Sequence, residues 1–113
     1  MTREIRDYLN DIITSIDDVE TFTVGMDFED FIADKKTINA VVRSLEIIGE
    51  AVKNIPDNIK DSHPELPWKY MAGMRDKLIH GYHGVDLEIV WTVVKEELPP
   101  LKPMMQKILD EIE

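Results

Sequence analysis

The chain has 113 residues, a formal net charge of −10 and no cysteine. A chain of this length supports one hydrophobic core, so a single domain over 1–113 is expected, and the lack of cysteine excludes a disulfide framework, a thiolate metal site and a cysteine nucleophile. The N-terminal MTREIRDYLND lacks the apolar core of a signal peptide, and no stretch approaches the roughly 20 apolar residues that span a bilayer, so a soluble cytoplasmic protein without a membrane partner is expected.

In chain order, Ile5, Tyr8, Leu9, Ile12, Ile13, Ile16 and Val19 recur at steps of three and four, which predicts an amphipathic helix over 3–19. A short link with Thr21, Thr23 and Gly25 follows, and Asp27 is placed to cap a second helix by accepting from its free amides. From Phe28, Phe31 and Ile32 through Ile38, Val41, Leu45, Ile48 and Val52 to Ile55 the apolar period is unbroken, which predicts one long helix ending at Pro56. Gly49 inside it costs about 1 kcal/mol of helix propensity and suggests close approach of another backbone.

The segment PDNIKDSHPELP, 56–67, reads as a loop, with Pro67 suited to the first position of a third helix. That helix carries Trp68, Met71, Met74, Leu78 and Ile79 and stops near Gly81. Asp86 can cap a fourth, with Val90, Trp91, Val93 and Val94. Pro99 and Pro100 are expected to break or kink it before a last helix with Leu101, Met104, Met105, Ile108, Leu109 and Ile112. No period-two strand, repeat or low-complexity segment is visible. The expected fold is an all-α bundle of four to five helices, with an exposed apolar stripe as a means of dimerising.

Charge is unevenly spread. Residues 1–34 hold two basic and ten acidic side chains, 35–77 hold eight and six, and 78–113 hold three and seven. Nucleic-acid affinity rests on lysine and arginine displacing counterions, so the total argues against it while the middle third leaves room for a local basic face. That third ends in RDKLIHGYHG, 75–84. On an ideal helix Arg75 and Tyr82 share a face, and His80 lies about 140° around from Arg75. A histidine in a last helical turn feels the negative end of the macrodipole, which favours its protonated form, and an arginine offers a planar fork for phosphate. Together they supply a proton-transfer group and a cation, the needs of RNA cleavage without a metal; two copies across a dimer axis would supply two of each. The structural alternative is that both cap helix carbonyls or bridge to carboxylates.

The string from Arg75 to Tyr82 matches the arginine, four residues, histidine, any residue, tyrosine motif of HEPN-domain proteins. Together with VVRSLEIIGEAVKNIP at 41–56, LPWKYMAGMRDKLIHGYHGVDLEIVW at 66–91 and LPPLK at 98–102, the chain resembles the HepT toxins of HepT–MntA toxin–antitoxin pairs over nearly its whole length. The resemblance implies a HEPN-type antiparallel helical bundle, homodimeric, acting as a metal-independent endoribonuclease with Arg75 and His80 catalytic. It also implies that Tyr82 is the tyrosine to which a cognate MntA-type nucleotidyltransferase antitoxin adds AMP, silencing the toxin. RNA is then the substrate, DNA is not expected, and no cofactor is implied; the chain has no glycine-rich phosphate loop for ATP. The rival reading is an inactive HEPN binding partner, or a substrate-binding subunit of a minimal nucleotidyltransferase.

Arg43, Glu46 and Glu50 form a polar line at steps of three and four, which reads as a solvated face with ion pairs; Glu50, with Arg43, is alternatively a partner that orients Arg75 or His80. His80 and His83, with His63 or a nearby carboxylate as a third ligand, make a poor metal set, so no metal site is expected. Lys69 and Lys77 are candidates for touching RNA backbone, Trp68 and Trp91 for core or interface anchors, and the six methionines fall on apolar stripes.

Overall fold

The computed structural model describes residues 3–80 and 86–112, with the backbone alone for 75–80. It is an all-α bundle, in the order α1 (Ile5–Thr23), α2 (Phe28–Ile32), α3 (Lys35–Lys53), α4 (Asp57–Ser62), α5 (Trp68–His80), α6 (Leu87–Thr92), a π-helical segment (Val93–Glu97) and α7 (Leu98–Ile112). Helix α3 packs against both α1 and α5, and α1 packs against α7.

The apolar stripe of α1 goes where its period sends it: Leu9, Ile12, Ile16 and Val19 are fully buried. They meet Val41, Leu45, Ile48 and Val52 of α3 and Met105 and Ile108 of α7 in one continuous core. Helix α1 runs past Val19 to Thr23, whose buried hydroxyl donates to the Val19 carbonyl at 2.8 Å. The turn after it uses Gly25 at φ +75°, a left-handed conformation that glycine adopts without a Cβ clash.

Asp27 caps as expected. Its carboxylate accepts from the Asp30 amide at 2.8 Å, and the Asp30 carboxylate accepts from the Asp27 amide at 3.2 Å, a reciprocal capping box. The long second helix, however, is two helices. Asp34 takes an extended conformation, and its carboxylate accepts from both the Thr37 amide at 3.1 Å and the Thr37 hydroxyl at 2.8 Å, starting α3 afresh. An aspartate that bonds local backbone competes with helix propagation, which apolar period alone does not register.

The segment 56–67 is likewise not all loop. Pro56 offers its carbonyl to the amides of Ile59 and Lys60 at 3.1 and 3.2 Å, and one short helix, α4, forms with Ile59 packed against the core. The largest departure lies at Pro99 and Pro100, which do not break the chain's course: α6 passes through the π-helical segment directly into α7. The Leu98 amide donates to the Val93 carbonyl five residues back, and the extra residue in that turn accommodates prolines that lack donors and crowd the preceding turn. Both prolines are exposed, as is Pro103 inside α7.

Trp91 is an anchor: its ring lies 5.0 Å from that of buried Phe31 and 6.3 Å from that of Phe28, tying α6 to α2. The Lys95 ammonium sits 4.8 Å from the Trp91 ring centre and reaches the Thr23 carbonyl at 3.3 Å. Met71, Met74 and Met105 are buried, in keeping with apolar stripes, while Met104 is partly exposed. Among the described residues no helix is long and apolar enough to cross a membrane.

Candidate functional site

Helix α5 is the element that presents the motif. Its start is fixed by Leu66 and Trp68, both buried, and by the Trp68 indole, which donates to the His63 carbonyl at 2.9 Å. Pro67 stands just before the helix rather than in it, its carbonyl accepting from the Met71 amide at 2.9 Å. His63 lies between two carboxylates, Nδ1 at 3.4 Å from Glu65 and Nε2 at 3.2 Å from Glu111, so it links this start to the end of α7. Met71 and Met74 then seat α5 in the core.

Arg75 and His80 both fall on α5, which ends at His80; their side chains lie outside the described residues, as does the Lys77 side chain. Tyr82 and His83 also lie outside the described residues. Among the described residues no group of three or more histidine, aspartate or glutamate side chains is arranged to hold a metal ion, and His63 is engaged as above.

Arg43 and Glu50 lie on the wall of a polar cleft of about 530 Å³ between α3 and the start of α1. Arg43 pairs with Glu46 at 3.4 Å on an exposed surface, the intrahelical ion pair that its spacing suggests. The Glu50 carbonyl accepts from the Asn54 side-chain amide at 3.0 Å. Across the cleft, Arg3 bonds Asp11 at 2.8 Å and lies 4.8 Å from the Tyr8 ring centre. The bond to Asp11 holds the Arg3 guanidinium above its ordinary value.

Two features beside the motif were not singled out from sequence. Between α5 and α6 runs an apolar groove of about 250 Å³, with Leu45, Tyr70, Gly73, Met74, Ile89 and Val93 among its walls and Lys69 at its edge. On the other side of Tyr70, its hydroxyl donates to Glu97 of the π-helical segment at 3.0 Å. Burial, then that bond, raises the phenol above its ordinary value. The available signal was Gly73, an interior helix glycine of the same kind as Gly49, which the structure buries on α3.

The described architecture is thus that of a small all-α protein whose helix α5 carries Arg75 and His80 in its backbone and lines an open groove through Tyr70 and Gly73. A family model described as "Ribonuclease HepT-like" matches residues 12–108, and the chain belongs to that family. It is 56% identical over 108 residues to a Thermococcus cleftensis protein named probable ribonuclease HepT, covering 96% of this chain and 98% of that one. It is 49% identical over 111 residues to a putative RNase of Methanocaldococcus jannaschii, covering 98% of this chain and 96% of the relative. With a putative RNase of Caldanaerobacter subterraneus it shares 45% identity over 106 residues, covering 94% and 95% of the two chains. No solved structure matches the chain.

Proposed function

We propose that the protein is a HepT-type toxin, a metal-independent endoribonuclease that works as a homodimer. The observation that carries this is the near full-length similarity to a protein named probable ribonuclease HepT, together with an intact motif from Arg75 to Tyr82 at the end of α5. In this reading a 2′-hydroxyl loses its proton and attacks the adjacent phosphorus, the bond to the 5′-oxygen breaks, and that oxygen takes up a proton. His80 residues of the two copies accept and deliver these protons, while Arg75 neutralises charge growing on the phosphate oxygens. The overall charge of −10 is compatible with this only if cations gather locally, as the eight basic residues of 35–77 do in sequence.

Tyr82 is then the site of control by a cognate nucleotidyltransferase antitoxin: an added AMP brings bulk and negative charge to where an RNA phosphate must lie. The test uses unmodified protein, confirmed by intact mass, with total cellular RNA in EDTA at about pH 6 to 8, the range over which histidine changes charge. The expected result is cleavage by the native sequence and none by His80→Ala or Arg75→Ala. Intact RNA in all samples, or equal cutting by all three proteins, overturns the nuclease reading in favour of a HEPN binding partner, the alternative that the acidic total favours.

A further inference from the structure

We propose that Tyr70 is a positioning residue for RNA cleavage, its hydrogen bond to Glu97 fixing the roll of the helix on which Arg75 and His80 stand. This rests on the nuclease reading above and adds the device that aims its catalytic helix. Helix α5 is unevenly supported. One flank packs against α3, with Met71 and Met74 buried in the core. The flank toward α6 and the start of α7 borders two hollows instead, the apolar groove already described and a second of about 360 Å³ edged by Pro67, Leu98 and Leu101. Tyr70 and Met74 line both, and so stand between them.

Packing does little to resist a turn of α5 into empty space, because a void offers no partner atoms to its lining. A directional bond does resist it. Among the described residues, the bond from the Tyr70 hydroxyl to Glu97, 3.0 Å long, is the one side-chain hydrogen bond from α5 to α6, the π-helical segment or α7. Its acceptor ends the π-helical segment, which is itself held by Val93 and Val94 in the core, with Leu98 buried just after it. Isolated π-helical turns are frequent at functional sites, so an anchor placed on one is in keeping with a role in the chemistry.

The distances involved are short. Tyr70 precedes Arg75 by five residues and His80 by ten, about 7.5 and 15 Å along one helix. A helix with its side chains has a radius of about 5–6 Å, so a roll of about 10° displaces what it carries by about 1 Å. Misplacing a reacting group by about 1 Å lowers a rate on the order of a hundredfold. The bond therefore matters more to the rate than its modest contribution to stability suggests. Tyr70 is 43% exposed, and a base stacked on its ring is the competing use. The two roles differ in the kinetic constant they move: positioning acts on kcat, and binding that is equal in ground and transition states acts on KM.

The test measures kcat and KM on a short RNA that the native protein cuts. Tyr70→Phe and Glu97→Ala are each expected to lower kcat by about fivefold or more with KM within about twofold, and the double variant to fall no further than either alone. In Glu97→Gln the amide oxygen still accepts from the phenol, so kcat is expected to stay within about twofold of native. Ile16→Val, a buried change on α1, removes a comparable amount of stability without touching the bond, and its kcat is expected to stay native below its melting temperature. If Tyr70→Phe keeps its kcat, or Ile16→Val loses as much, or Glu97→Gln falls as far as Glu97→Ala, the proposal fails while the nuclease reading stands. A rise in KM alone assigns Tyr70 to binding RNA and overturns the proposal too. If the native sequence cuts no RNA, both fail.

Discussion

Tyr70 and Glu97 are 27 residues apart and share a hydrogen bond of 3.0 Å, which joins the helix bearing the motif to the π-helical segment leading into α7. The phenol therefore both lines the groove and holds one of its walls to the next element.

Because burial and the bond to Glu97 keep the Tyr70 phenol protonated above its ordinary range, the group is a stabiliser while neutral. A raised folded-state value contributes stability that is complete below the unfolded tyrosine value, near 10, and is lost as pH rises through the folded value. Tyr70→Phe is expected to lower stability by about 0.5–1 kcal/mol at neutral pH, as for a half-exposed hydrogen bond. Denaturant titrations of the two proteins should converge as pH climbs above 10, and a gap that widens there would contradict this account.

Asp34 restarts the helix through two bonds from Thr37, and these hold its carboxyl below the ordinary carboxylate range, the hydroxyl bond contributing most. A lowered folded-state value contributes stability above the unfolded value, near 4, and loses it as pH falls through the folded one. Asp34→Ala should melt several degrees earlier than the native protein at neutral pH and at nearly the same temperature in strong acid. A constant difference across that range would assign the effect to packing.

Phe31 is fully buried against Trp91, with ring centres 5.0 Å apart. Phe31→Ala is expected to cost about 3–5 kcal/mol, the usual cost of truncating a buried aromatic, and to shift Trp91 emission to the red as the indole gains water. The denaturation midpoint reports the first and the emission spectrum the second.

Gly73→Ala tests the open space beside α5. An added Cβ there meets no described residue within 4 Å, so the substitution should stabilise the fold by about 0.5–1 kcal/mol. The denaturation midpoint checks this, and a fall in it would contradict the account.

The sequence by itself determined what depends on near neighbours. The period of Leu9, Ile12 and Ile16 marks the buried face of α1, and Asp27 and Asp86 cap α2 and α6 by accepting amides within three residues. The family signature from Arg75 to Tyr82 was also legible there, because it is a local spacing, and the family match agrees with it. The break at Asp34 is local too, but an unbroken apolar period hid it, since periodicity counts side chains and not the bonds an aspartate makes. Tertiary structure decided the rest. The prolines at 99 and 100 carry a π-helical turn rather than an end because Val93, Val94, Leu98 and Leu101 on either side are all held in the same core. The groove beside Gly73 is lined jointly by residues of α3, α5, α6 and the π-helical segment, and no spacing within any one of these elements encodes it.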